Sequence, residues 1–144
     1  MGWWPDPMRI IASAIGAVLV LSNAASAQPV EEPIRTPLVG LEGPETDACP
    51  GIGRVIGLEP RKGDLLRVRS EASEVAEVTD ELAVSTLVWL CEADDDWQGI
   101  IYPKGEFQEL GDCRVSSALA APEPYAGPCQ FGWVQAKYVE LVAG

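Results

Sequence analysis

Any chemistry in this chain would have to be done without histidine, because the sequence contains none. The usual general base near neutral pH is therefore missing. Serines occur, but none sits in a G-x-S-x-G or S-x-x-K setting. A cysteine nucleophile would have to escape disulfide pairing and find an activating base. Carboxylates are plentiful, 22 Asp and Glu against 10 Lys and Arg, yet most lie in one proline-rich stretch or in turns, where they are solvated. The run Asp94-Asp95-Asp96-Trp97-Gln98-Gly99 partly follows a calcium loop: Asp96, Gln98 and Gly99 fall on ligand and turn positions. The twelfth position is Gly105 rather than the bidentate Glu, which comes one step late as Glu106, so an acidic hairpin tip is expected instead. Gly51, Gly53 and Gly57 follow Cys49-Pro50 rather than a strand, and no helix follows them, so they are no nucleotide fingerprint. These residues point away from an enzyme and toward no cofactor.

Four cysteines, Cys49, Cys91, Cys113 and Cys129, carry the remaining chemistry. Zinc would need a C-x-x-C pair or histidines, and neither is present. The N-terminus reads as an export signal. Arg9 precedes an uncharged apolar run over residues 10–21, and Ala25-Ser26-Ala27 forms an A-x-A cut site. A dozen residues are too few to span a bilayer of ~30 Å as a helix, so no membrane span is expected after cleavage. Residues 1–7 suit a signal poorly, and Met8 makes a cleaner start. An even cysteine count in an exported, oxidising setting favours two disulfides. Three pairings are possible. Cys113–Cys129 is favoured because it closes a loop rich in Pro, Gly and Ala, which leaves Cys49–Cys91. The expected location is the periplasm or the medium.

The formal charge is −12, and the signal, with one acid and one base, does not alter it. No face can then be strongly basic, which argues against nucleic acid and anionic membrane surfaces as partners.

Three segments must position these residues: a signal peptide over 1–27, a Pro/Glu-rich disordered arm over 28–48, and one β domain over 49–144. The arm lacks periodicity. Short strands are expected at 54–58, 66–69, 84–91, 97–102, 131–134 and 138–142, separated by turn compositions. Residues 71–82 place Val75, Val78 and Leu82 at helical spacing and read as a short helix or an irregular loop. The fold class is all-β and antiparallel, a barrel or sandwich.

One order of residues stands out: Leu66-Arg67-Val68-Arg69-Ser70-Glu71-Ala72-Ser73, then Asp80-Glu81-Leu82, Val88-Trp89-Leu90-Cys91, a lone Trp97, and Gly132-Trp133-Val134 with Tyr138-Val139. It resembles the bacterial SH3-like domain, whose pattern is L-x-V-R-x-x-P-S, a strand, a single W, then G-W-V-x-x-x-Y. The likeness covers about 53–141. Glu71-Ala72 stands where the family has Gly-Pro, and Val84-Ser85-Thr86 replaces a glycine hairpin. A long insertion, residues 103–130, separates the last motif from the rest; the Cys113–Cys129 bridge would close it. The resemblance implies a small five-stranded antiparallel SH3-like barrel. It also implies binding rather than catalysis, of cell-wall glycan and peptide or of an envelope protein.

In such a barrel Trp89, Trp97 and Trp133 either fill the core or form an exposed aromatic row. The expected ligand contacts are Trp97, Tyr102, Tyr125, Trp133 and Tyr138, with Arg67 and Arg69 as local cations. Two other readings stand beside wall binding. The loop 103–130 could enter a partner's cleft as an inhibitor does, or the barrel could serve only to build oligomers.

Overall fold

The computed structural model describes residues 2–3, 14–26, 33–104 and 110–144. The chain divides into two units, Met1–Val30 and Glu31–Gly144. The expected export signal falls on the first. Residues 4–13 and the cut point at Ala27 lie outside the described residues, and residues 14–26 carry neither helix nor strand. No helix among the described residues is long and apolar enough to cross a membrane.

The second unit is built from short antiparallel strands. They are β1 (Leu38–Val39), β2 (Gly51–Val55), β3 (Leu66–Arg69), β4 (Val78–Leu82), β5 (Leu87–Asp94), β6 (Trp97–Tyr102), β7 (Glu123–Pro124), β8 (Gln130–Gln135) and β9 (Val139–Ala143). Seven of them form one sheet in the order β4-β3-β8-β6-β5-β2-β9, while β1 pairs with β7. The sheet is open: β4 and β9 are its edges, and no closed barrel forms among the described residues.

Side-chain alternation explains how this sheet is buried. In β6, Ile100 and Tyr102 enter one core while Ile101 enters another. The first core gathers Val55, Leu66, Val68, Leu82, Val88, Ile100, Tyr102 and Val134. These come from strands near both edges, so the sheet must curl strongly for them to share one cluster. Close strand packing depends on small residues. A Cβ at Gly53 would lie 2.5 Å from Val139 Cγ1 and 2.8 Å from Leu90 Cδ2, which gives this glycine a packing role. A Cβ at Gly132 would overlap Val68 Cγ1 and press to 3.1 Å from the carbonyl oxygen of Arg69.

The second core lies on the other face of the sheet and is closed by chain outside it. Val39, Ala48, Cys49, Cys113, Val115 and Tyr125 cover Ile101, with Trp89 and Phe131 packed against them. Here the expectation of a disordered arm over 28–48 is corrected. Residues 28–32 lie outside the described residues, but from residue 33 onward the segment is a strap on the sheet. Pro37, Val39 and Ala48 are buried. Its backbone polar groups find partners: Ala48 N donates to Ser117 O at 3.0 Å, Cys49 N to Val115 O at 3.1 Å, and Tyr125 N to Pro37 O at 3.0 Å. The strap and the insertion thus cover the sheet together. Two disulfides pin them, Cys49–Cys91 and Cys113–Cys129. Residues 105–109 of the insertion lie outside the described residues.

Residues 71–82 form no helix. Residues 71–76 are turns and bends, and 78–82 is the edge strand β4, in register with β3 from Leu66↔Leu82 to Val68↔Asp80. Val75 is 87% exposed, so the helical spacing of Val75, Val78 and Leu82 marks no buried stripe.

Candidate functional site

Three of the seven expected contact residues are spent inside the fold. Trp133 is fully buried, its Nε1 donating to Arg35 O at 2.8 Å beneath the Arg35 guanidinium, which lies 4.3 Å from the ring centre. Tyr102 is buried in the first core and donates to Asp80 Oδ2 at 2.7 Å. Tyr125 is buried in the second, donating to Cys113 O at 2.9 Å and accepting from Cys129 N at 3.0 Å. Aromatic rings with a polar tip are buried where that tip finds a partner, and each of these three does. Trp133 and Tyr125 are corrected to structural residues; Tyr102 is built into the core with its side chain at the wall of a second cavity and away from the groove.

The other four line one groove. Arg67 and Arg69 come from β3, Trp97 from the start of β6, and Tyr138 from the short 3-10 turn Ala136–Tyr138; Gln135, Leu58 and Glu81 join them. The cavity measures about 470 Å³. Strand register assembles it. Trp97 stands opposite both Asp94 and Gln135, and Arg67 stands opposite Glu81. Leu66 and Val68 point into the first core, so Arg67 and Arg69 must point away from it. Arg69 Nη1 donates to Ala76 O at 2.9 Å and so fixes the 70–77 turn. Gln135 Nε2 donates to Glu74 Oε1 at 2.9 Å, which closes the same side. Arg67 is exposed and makes no hydrogen bond or ion pair among the described residues. The groove therefore offers one uncommitted guanidinium between two half-buried aromatic side chains. Chemically, that combination can receive a carboxylate on the cation and an apolar or sugar face on the rings.

Sequence reasoning missed Gln135 and Arg35. Gln135 is two residues after Trp133 in one strand and so shares its face, a period-2 signal. Arg35 is the only cation in residues 28–48. Its guanidinium meets Glu92 Oε1 at 2.6 Å and also Asp94, while Glu92 Oε2 accepts from Leu38 N at 2.8 Å. Asp94, the first residue of the acidic run, is thus engaged in holding the strap. That run is a hairpin tip, with Asp95 and Asp96 between the paired Asp94 and Trp97. Asp95 adopts φ 50°, a conformation Asp tolerates better than most side chains.

All four cysteines are paired, so none is available as a thiol nucleophile. In the insertion 103–130, Cys113, Val115 and Tyr125 are turned into the second core. Burial, reinforced by the Asp80 carboxylate, holds the Tyr102 hydroxyl far above its usual range. A tyrosine whose ionisation is suppressed only in the folded state contributes stability that is complete below the unfolded value of ~10 and is lost as pH rises above it. Urea unfolding at pH 9 and pH 11 should show a steeper alkaline loss in the wild type than in Tyr102→Phe. Equal losses would place the hydroxyl in solvent. No protein-family model, curated protein or solved structure matches the chain.

Proposed function

We propose that this protein is a non-catalytic binding module of the cell envelope, built on an SH3-like β scaffold and working in the periplasm or outside the cell. Its groove holds a carboxylate-bearing cell-wall glycopeptide. The observation that carries this reading is Arg67, an exposed guanidinium without a partner among the described residues, in one groove with Trp97 and Tyr138. The two disulfides suit an oxidising compartment. The strand that bears L-x-V-R pairs with the strand that bears G-W-V, through Arg69↔Trp133, so the pieces of the resemblance lie side by side.

The net charge of −12 sets the electrostatic condition. A wall polymer is itself rich in carboxylates, and long-range repulsion is screened beyond about 8 Å at physiological salt. Short-range contacts to Arg67 and the two rings then decide binding. Co-sedimentation with purified peptidoglycan sacculi across a salt series tests this. Pelleting should survive ~0.15 M salt. Arg67→Ala and Trp97→Ala should each weaken it about tenfold, the size of one charged hydrogen bond or one lost aromatic contact. Absence of pelleting at every salt, or pelleting indifferent to both substitutions, overturns the reading and leaves an envelope protein as the partner.

A further inference from the structure

At the opposite ends of the same strands lies a second, smaller cavity. β6 begins at Trp97 in the groove and ends at Tyr102, and β8 runs back from Gln130 to Gln135. Around Tyr102 and Gln130 a cavity of about 180 Å³ is lined by Ile34, Ser70, Thr79, Asp80, Phe131 and Gly132 as well. Three observations bear on what it takes.

The first is an orphan. Ser70 is 3% exposed and its Oγ has no hydrogen-bond partner among the described residues. Buried hydroxyls are seldom left so, because the lost hydration is uncompensated. The second is the direction of the polar groups already engaged. The Tyr102 hydroxyl donates to Asp80 Oδ2, Glu81 N donates to Asp80 Oδ1 at 2.8 Å, and Thr79 Oγ1 donates to Val68 O at 3.3 Å. The donors of Tyr102 and Thr79 are consumed; Ser70 and Gln130 can each donate or accept, while the Tyr102 oxygen and the remaining lone pairs of Asp80 only accept. The wall is thus centred on a half-buried carboxylate with which no cation is paired among the described residues. The third is the apolar side, made by Ile34 and Phe131.

We infer that this cavity is a binding site for a primary ammonium group on a short aliphatic chain. An ammonium has three donors and no acceptor, matching the open oxygens of Asp80, Ser70 and Tyr102. Its methylenes lie along Ile34 and Phe131. The cavity, about 180 Å³, has room for a short aliphatic chain such as a lysyl side chain. The site is independent of the Arg67 groove and takes the opposite charge. Its ligand is a free alkylamine or the amine of a lysine-like side chain in a peptide.

Titration of the 15N-labelled protein with pentylamine, pentan-1-ol and Nα-acetyl-lysine methylamide tests this by amide shifts. Pentylamine should give saturable shifts centred on Ser70, Asp80, Tyr102 and Gly132. Asp80→Asn keeps an acceptor for the Tyr102 hydroxyl but removes the charge, and should weaken amine binding about tenfold. Ser70→Ala, which leaves the carboxylate intact, should weaken it about threefold. Binding by the lysine derivative as well as pentylamine assigns a peptide source; binding by pentylamine alone assigns a free amine. Three results overturn the proposal: no saturable shift with either amine, which leaves Ser70 to a water; equal binding of pentan-1-ol; or amine binding unchanged in a folded Asp80→Asn.

Discussion

Trp133→Ala is expected to lower stability by about 4 kcal/mol and to release residues 33–37 to protease. Truncating a fully buried tryptophan removes its transfer energy and leaves a cavity, together about 3–5 kcal/mol. The same change takes the Nε1 donor from Arg35 O and the ring from beneath the Arg35 guanidinium. Among the described residues, the strap is then held at Arg35 only by Glu92, Asp94 and the bond from Arg35 N to Ser70 O at 2.9 Å. Trypsin cuts after arginine, so cleavage at Arg35 reports the strap directly. Urea midpoints measure stability and timed trypsin digestion measures release. Trp133→Phe keeps most of the ring and should lose only about 1–2 kcal/mol, largely the hydrogen bond. If the alanine variant loses less than about 1 kcal/mol and Arg35 stays protected, the strap does not depend on Trp133.

The Cys49–Cys91 bridge is the second large contributor. It closes a separation of 42 residues, and Cys113–Cys129 one of 16. Chain-entropy arithmetic gives about 4 kcal/mol for the longer loop and about 3 kcal/mol for the shorter. The double substitutions Cys49→Ala/Cys91→Ala and Cys113→Ala/Cys129→Ala should therefore both shift the urea midpoint, the first by more. The bridges act on the same layer. One anchors the end of the strap to β5, and the other holds the insertion that packs on the strap. The reverse order would mean that packing within the insertion, rather than loop entropy, sets the scale.

Much of the sheet is legible in the sequence, for a local reason. β3 and β6 run over the residues whose alternation and punctuation mark them, because turn compositions bound them on both sides. The composition of the loop between Cys113 and Cys129 likewise points to the pairing present in the structure. The strap and β4 are not legible. Residues 33–48 look like a linker because their burial rests on backbone bonds to the insertion, far away in the chain, and on a few isolated side chains such as Val39. β4 takes its conformation from pairing with β3 and not from its own pattern.

The candidate site is half legible for a related reason. Trp97 and Trp133 both lie on the face away from the first core. Periodicity cannot separate them, since only the strap decides which is covered. Trp133 is roofed by Arg35, and Trp97, at the hairpin end, is left half-open on the groove. A sequence in which the roof is invisible offers both as ligand contacts.

The roof also sets the order in which the molecule can be completed. Arg35 meets Trp133 across 98 positions, and Leu38 meets Pro124. The strap emerges early from the ribosome, yet its resting place is made by strands that arrive last. Closing so long a loop costs entropy before any contact repays it. A chain still in transit therefore presents an uncovered sheet face and unsealed cysteines. That face can be covered only once β8 is available and residues 33–48 fold back over it.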